Sequence, residues 1–184
     1  MLGASARLSR LIPSGAPPYW IHELTSGASA NSSGTWSESG SQESTRVVCA
    51  NCATINRVPR ARLGEDPKCG SCGKALLPGT PFELDKANFD RHMASNDLPL
   101  IVDFWAPRCG PCRMMAPVYE QAAARVAPDV RLAKLDTDQA PDVAARFAIR
   151  GIPTLIAFRN GREIARQSGA LDLPSLLRWI KTNV

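Results

Sequence analysis

From residue 81 to the end of the sequence, apolar residues alternate between helical and strand spacing. The run at 98–105 is apolar on both faces except at Asp103, which predicts a buried central strand with one unusual polar position. Further strands are predicted at 130–136, 154–158 and 163–167, and Asn160-Gly161 predicts a hairpin turn between the last two. Helices are predicted from 85 to about 96, from about 109, over 141–147 and after Asp172, which is expected to cap the last one. Alternating helices and strands are typical of an α/β sheet protein.

The chain before residue 81 lacks the composition of an independent domain. Residues 1–45 contain eleven serines and five glycines, so we expect a disordered Ser/Gly-rich extension. Residues 46–80 contain few large apolar side chains, and segments shorter than about 40 residues seldom fold on such a core without a metal or disulfides. We therefore divide the chain into an extension at 1–45, a segment at 46–80 that needs a metal or disulfides to fold, and an α/β domain at 81–184.

The net charge of +5 at pH 7 is modest, and no basic stripe is interleaved with aromatic residues. Nucleic acid is therefore not an expected partner. No apolar run approaches the roughly 18 residues of a membrane span, and the start of the sequence lacks the apolar stretch of a secretory signal. We expect a cytoplasmic monomer that does not bind membranes.

All six cysteines fall into three C-x-x-C pairs. The first two pairs are separated by sixteen residues, a spacing typical of a zinc ribbon or knuckle. They predict one structural Zn²⁺ held by the four thiolates of Cys49, Cys52, Cys69 and Cys72. Two alternatives stay open: a pair of disulfides, which reducing compartments disfavour, and a redox switch that releases the metal.

The third pair, Cys109 and Cys112, lies where the buried strand gives way to a helix. The positive end of a helix dipole lowers the pKa of a thiol, and the adjacent Arg108 adds a positive charge. Cys109 is therefore the expected attacking sulfur. Cys112, one turn into the helix, is expected to resolve the resulting mixed disulfide. This chemistry needs only the dithiol and no organic cofactor.

The stretch Asp103-Phe-Trp-Ala-Pro-Arg-Cys-Gly-Pro-Cys112 resembles the active site of the thioredoxin family, and the likeness covers residues 81–184. With Cys49-Ala-Asn-Cys52 and Ile55-Asn-Arg-Val-Pro59 included, the chain resembles the zinc-containing thioredoxin 2 group of bacteria. The resemblance implies a thioredoxin fold, in which helices flank a central mixed sheet, preceded by a small zinc ribbon. It also implies an enzyme that reduces disulfides of client proteins and is re-reduced by an NADPH-dependent thioredoxin reductase.

The resemblance assigns roles to further residues. Asp103 is implied to be the acid-base group that serves Cys112 through a water, with Lys134 as its electrostatic neighbour. Burial of an ionised carboxylate is costly unless its pKa rises, so Asp103 is also unusual on physical grounds. A hydrogen-bonded core aspartate and a solvated strand lysine are the alternatives. The implied substrate surface comprises Trp105, Arg108, Gly110, Pro111, Gly151, Ile152, Pro153 and Gly169.

Within that surface, the resemblance implies that Trp105 packs beneath the redox pair and that Ile152-Pro153 forms the facing loop, with the proline in cis. Without the resemblance, Gly151 and Gly169 would be interpreted as ordinary turn glycines. Arg108 departs from the family, since most thioredoxins have tryptophan immediately before the first cysteine. A cation there favours acidic client surfaces and salt-dependent association, although a tolerated surface substitution is the alternative.

A hypothesis from another class is a binding module, in which the thioredoxin fold and the zinc segment hold a partner and thiol chemistry is secondary. Replacement of both Cys109 and Cys112 by serine distinguishes the two functions, because only a binding module keeps its full activity.

Overall fold

The computed structural model describes residues 43–184. The predicted extension at 1–45 lies outside the described residues apart from its last three. Within those, the first strand already begins at Ser44, and the Thr45 side chain is buried. Residues 46–80 and the α/β domain belong to one compact unit.

Residues 44–80 form a small ribbon. Its strands β1 (Ser44–Val48) and β2 (Ile55–Pro59) pair antiparallel, with Val48 opposite Ile55, and a 3₁₀ turn follows at Arg60–Arg62. The connection between the strands carries the first C-x-x-C pair, and the loop after the 3₁₀ turn carries the second. The ribbon core is small: Val47, Cys49, Val58, Leu63, Cys69 and Leu76, joined by Leu98 from the α/β domain.

A five-stranded mixed sheet forms the centre of the α/β domain, in the order β3-β5-β4-β6-β7. The central strand β4 pairs parallel with β5 and antiparallel with β6. The strands are β3 (Phe82–Leu84), β4 (Leu100–Trp105), β5 (Arg131–Asp136), β6 (Thr154–Arg159) and β7 (Arg162–Ser168). The helices are α1 (Phe89–Ser95), α2 (Gly110–Val126), α3 (Pro141–Arg146) and α4 (Leu173–Asn183).

Two apolar clusters lie on opposite faces of the sheet, and each joins the sheet to one layer of helices. Alternate residues of β4 face opposite sides: Val102 and Phe104 pack with α1 and α3, whereas Ile101 packs with α2 and α4. The buried stripe of α2 has helical spacing and comprises Cys112, Met115, Tyr119, Ala122 and Ala123. The Tyr119 hydroxyl lies 2.9 Å from the carbonyl oxygen of Ile101 and 3.0 Å from that of Ala133, which fixes α2 against the sheet.

The predicted order of elements is confirmed from α1 onwards, and the Asn160-Gly161 turn joins β6 to β7 as expected, with positive φ at both residues. The prediction omitted β3, a strand of three residues on the sheet edge. So short a segment offers no periodicity, and its position is decided by pairing with β5.

The ribbon docks at the end of the sheet where β4 and β5 begin. The Arg46 guanidinium and backbone N–H bind the Asp97 carboxylate, and the Asp97 N–H donates to the Arg46 carbonyl at 3.0 Å. On β5, the Arg131 side chain donates to the carbonyl of Val48 at 2.9 Å. The opposite end of β4, at Trp105, is about 16 Å away at ~3.3 Å per residue. The ribbon therefore packs far from the loop that follows β4.

Candidate functional site

The third cysteine pair lies at the start of α2 and forms a disulfide. Cys109 is the N-cap residue, and its Sγ accepts a hydrogen bond from the Cys112 backbone N–H at 3.1 Å. An N-cap side chain receives the unpaired amides and the positive end of the helix dipole, both of which favour a thiolate over a thiol. Cys109 is partly exposed, whereas Cys112 is only 2% exposed. An incoming disulfide can therefore reach Cys109 but not Cys112.

A loop before β6 faces the redox pair. The Ile152-Pro153 peptide bond is cis, as the resemblance implied, and the Ile152 carbonyl oxygen lies 3.7 Å from the Cys109 Sγ. The Gly169 N–H donates to the Pro153 carbonyl at 2.9 Å, and Gly169 has φ of +88°. The Thr154 hydroxyl donates to the carbonyl of Gly151 at 2.7 Å. The structure thus places Ile152 beside Cys109, and these backbone contacts hold Gly151, Pro153 and Gly169 around the same cis peptide bond.

Asp103 is a buried carboxyl group on β4, and it is 1% exposed. Among the described residues, nothing donates a hydrogen bond to its Oδ1 atom. Burial raises the pKa of Asp103 to about 7; Lys134 offsets part of this rise, and Glu83 adds to it. Asp103 alternates with Val102 and Phe104, so it faces the same side of the sheet as the buried stripe of α2 that carries Cys112.

Glu83, Lys134 and Asp103 form a row of charged groups across three neighbouring strands. The register pairs Lys134 with Glu83 on one side and with Asp103 on the other. No carboxylate lies within 4.0 Å of the Lys134 ammonium in the part of the chain that the structure describes. The ammonium instead lies 4.3 Å from the centre of the Trp105 ring. Lys134 therefore acts on Asp103 through space and not through a close ion pair.

Glu83 is a member of this row that the sequence analysis missed. Partial burial raises its pKa, Lys134 lowers it, and Asp136 raises it. From the sequence, Glu83 could be placed only as a residue before the first helix, because β3 itself was not predicted.

Trp105 is half-buried, and its indole N–H has no partner among residues 43–184.

The remaining predicted surface residues lie around the redox pair. Arg108 is exposed, and no carboxylate of residues 43–184 forms an ion pair with it. Gly110 and Pro111 open α2, where proline is favoured because the first helical amides lack partners in any case. A cation and an apolar rim thus lie next to Cys109.

The other four cysteines converge in the ribbon. All four sulfur atoms lie within 4.8 Å of one another. The Cys49 and Cys72 sulfurs are 3.6 Å apart, and those of Cys52 and Cys69 are 3.7 Å apart. Thiolates about 2.3 Å from one tetrahedral Zn²⁺ stand about 3.8 Å from each other, so the spacing and the donor set fit such an ion.

Two matching turns present these sulfurs. The N–H of Ala53 donates to the Cys49 carbonyl, and the N–H of Gly73 donates to the Cys69 carbonyl, both at 2.9 Å. The residue after each pair has positive φ: 54° at Ala53 and 71° at Gly73. The positive φ of Ala53 could not be predicted from the sequence, because alanine rarely adopts this conformation.

Asn56 joins the two cysteine turns, and the sequence analysis did not single it out as a site residue. Its side-chain oxygen accepts from the Gly70 N–H at 3.0 Å, and its amide nitrogen lies 2.9 Å from the Thr54 carbonyl and 3.7 Å from the Cys69 sulfur. Backbone N–H groups of Cys72 and Ser71 lower the pKa of Cys69 to about 6. The turn around Cys69 is therefore arranged to hold a thiolate.

A partly exposed C-x-x-C cysteine at a helix N-terminus, facing a cis-proline loop over a mixed sheet, defines a thioredoxin-fold thiol-disulfide oxidoreductase. The family model described as Thioredoxin matches residues 80–182, and the model described as Thioredoxin 2, N-terminal matches residues 48–74. The chain belongs to the thioredoxin family, whose members reduce protein disulfides by thiol-disulfide exchange. None of the helices in residues 43–184 is long and apolar enough to cross a membrane.

Curated relatives agree with this assignment. Thioredoxin C-3 of Corynebacterium nephridii is 46% identical over 134 residues, which cover 73% of this chain and 92% of that protein. Thioredoxin of Haemophilus influenzae is 38% identical over 103 residues, covering 56% of this chain and 96% of its own. Thioredoxin of Mycobacterium bovis is 46% identical over 97 residues, covering 53% and 84%.

Proposed function

We propose that the reduced protein uses Cys109 as the nucleophile and Cys112 as the resolving thiol. The Cys109 thiolate attacks one sulfur of a client disulfide, and the other client sulfur leaves as a thiolate that takes a proton. Cys112 loses its proton and attacks the Cys109 Sγ, which releases the second client thiolate. Two electrons pass from the dithiol to the client, and the intramolecular disulfide seen in the structure is the product. The observation that carries this assignment is the difference in exposure between the two sulfurs.

Asp103 is proposed as the proton acceptor for Cys112. A carboxyl group whose pKa lies at about 7 is divided between its two forms at neutral pH, so it can take up a proton in one step and return it in the next. Lys134 is proposed to stabilise the ionised form of Asp103 from the neighbouring strand. Asp103 is buried, whereas Lys134 is partly exposed and its ammonium lies against the Trp105 ring.

The client surface is proposed to comprise the rim of the redox pair and the cis-proline loop. Among residues 43–184, the Ile152 N–H has no acceptor, so it is available to an extended client strand. The carbonyl of Ile152 is held beside Cys109. The other proposed client contacts are Trp105, Arg108, Gly110, Pro111, Gly151, Pro153 and Gly169. Disulfide-bearing client proteins and an NADPH-dependent thioredoxin reductase, acting in the cytoplasm on a monomer, are the proposed partners.

The ribbon is proposed to bind one structural Zn²⁺ through Cys49, Cys52, Cys69 and Cys72. The sulfur spacing and the donor set fit, and four protein ligands leave no open position for a substrate. When bound, the ion supplies folding energy to a segment with few apolar residues. We propose residues 46–80 as the zinc segment and 81–184 as the thioredoxin domain.

A Cys112→Ser variant tests the assignment of roles. Without a resolving thiol, the exchange stops after the first step, so we expect a stable mixed disulfide between Cys109 and a client. Its matched control, Cys109→Ser, is expected to trap nothing because Cys112 is buried. Mass spectrometry of the adduct identifies the sulfur. An adduct on Cys112 in the control, as abundant as that on Cys109, would contradict the proposed roles.

The equilibrium with glutathione distinguishes a reductant from an oxidant on this fold. We expect a reduction potential near the −270 mV that is typical of thioredoxin, and not near the roughly −120 mV of a disulfide oxidant such as DsbA. A value near the oxidant end would overturn the proposed direction of electron flow while leaving the exchange chemistry intact.

A further inference from the structure

Arg131, the first residue of β5, is a buried cation at the junction of the ribbon and the sheet. It is 6% exposed, although guanidinium groups are rarely buried without a partner. Its side chain donates to two neutral oxygens, the Val48 carbonyl at 2.9 Å and the Asn96 side chain at 3.0 Å. It also lies 4.4 Å from the centre of the Phe82 ring. Across residues 43–184, no carboxylate lies within 4.0 Å of it.

The carbonyl group that Arg131 binds lies next to a ribbon cysteine in the chain. The oxygen that Arg131 binds belongs to Val48, the residue immediately before Cys49, and Cys49 is fully buried. Burial lowers the pKa of Arg131 to about 10, and the charge of Cys49 acts in the opposite direction. Arg131 therefore remains charged at neutral pH. Arg131 thus places a positive charge beside the residue that precedes a cysteine of the four-sulfur cluster.

We propose that Arg131 is the counter-charge of the four-thiolate centre, a positioning residue that couples metal binding in the ribbon to the docking of the ribbon on the sheet. The inference rests on the proposed metal site. Four thiolates and one divalent ion carry a net charge of −2, and a buried charge is costly without compensation. Arg131 supplies one positive charge from the thioredoxin domain. By linkage, the metal centre in turn stabilises the buried guanidinium.

Two variants separate the charge of Arg131 from its hydrogen bond. Arg131→Gln removes the charge but keeps an amide donor for the Val48 carbonyl, whereas Arg131→Lys keeps the charge. Arg46→Gln is the control, because Arg46 lies on the same docking surface but is paired with the Asp97 carboxylate. Zinc affinity is measured on the full chain by competition with a chromogenic chelator. The thiolate-to-metal charge-transfer bands are measured after substitution with Co²⁺.

We expect Arg131→Gln to weaken zinc binding at least about tenfold, as loss of groups around a metal's ligands commonly does. We also expect its charge-transfer bands to move to longer wavelength, because electrons leave a thiolate more easily when a nearby cation is removed. Arg131→Lys is expected to keep the wild-type bands, and Arg46→Gln is expected to change affinity less than about threefold. If Arg131 had only a structural role, its replacement by glutamine would not shift the charge-transfer bands.

Zinc affinity and bands in Arg131→Gln that equal those of Arg46→Gln would overturn the inference. If Arg131→Gln is too unstable to hold the metal, Arg131→Lys decides: wild-type bands and affinity support the counter-charge, and shifted bands with weakened binding contradict it. A wild-type chain that binds no zinc with four-thiolate bands would instead remove the proposed metal site itself. The two failures are therefore distinguishable.

Discussion

Asp103→Asn is expected to stabilise the oxidised protein, and to do so only at neutral and alkaline pH. The carboxyl group is 1% exposed, its Oδ1 has no donor among the described residues, and burial raises its pKa to about 7. In the unfolded chain the group ionises near its ordinary pKa of 3.8. Between these two values the folded state binds more protons than the unfolded state, so the wild-type free energy of unfolding falls as the pH rises from about 4 to about 7.

The size of the effect follows from the difference between the two pKa values. A difference of roughly 3 units at 1.36 kcal/mol per unit gives about 4 kcal/mol of destabilisation by Asp103 at pH 8, and less than about 1 kcal/mol at pH 4. Asparagine removes this pH-dependent destabilisation but introduces a buried amide that costs roughly 1–3 kcal/mol if unpaired. That cost is the same at every pH. The informative quantity is therefore the change in the mutational effect between pH 4 and pH 8.

Urea unfolding of the oxidised wild type and Asp103→Asn, followed by fluorescence at several pH values between 4 and 8.5, measures this quantity. Asp138→Asn is the control, because Asp138 is an exposed carboxylate on the same domain. We expect the free-energy difference between wild type and Asp103→Asn to rise by about 4 kcal/mol in favour of the variant as the pH increases, with no such rise in the control. A mutational effect that is the same at pH 4 and pH 8 would refute the buried, high-pKa description of Asp103.

Three further predictions concern single contacts. Arg108→Trp should reduce the difference between the salt dependences of the reduction rates for acidic and basic clients, as measured by stopped-flow kinetics. Equal salt slopes for the two kinds of client in wild type would contradict this prediction. Gly73→Ala should destabilise the ribbon by about 1–2 kcal/mol because φ at Gly73 is +71°, whereas Ala53→Gly should relieve backbone strain. Calorimetry that finds Gly73→Ala at least as stable as Ala53→Gly would disprove this. Tyr119→Phe should cost about 1 kcal/mol in urea unfolding, and no loss would show that its buried hydroxyl contributes nothing.

Much of the fold could be predicted because periodicity and capping act locally. The apolar run of β4, the Asp172 cap and the Asn160-Gly161 turn each place an element within a few residues of its observed bounds. The first two C-x-x-C pairs could be predicted as candidate metal ligands for the same reason, because ligand spacing is a property of the sequence. The edge strand β3 could not, because its three residues are positioned by pairing with β5.

The groups that the sequence analysis missed depend on contacts between distant segments. Glu83 influences Asp103 only through the register of β3 and β5, and Arg131 reaches Val48 across 83 positions of sequence. His92 is a further case: its position on α1 was predicted, but its burial was not. It is 1% exposed beside Phe82 and Arg131, and burial lowers its pKa to about 3.

The Cys109–Cys112 pair is proposed to carry electrons from a reductase to client disulfides. The most direct test is NADPH oxidation by the purified chain with a thioredoxin reductase and a disulfide client, run beside Cys109→Ser. We predict turnover by the wild type and none above background by Cys109→Ser, because the buried Cys112 cannot replace the attacking sulfur. Equal turnover by both proteins, or none by a folded, zinc-loaded wild type, would contradict the account.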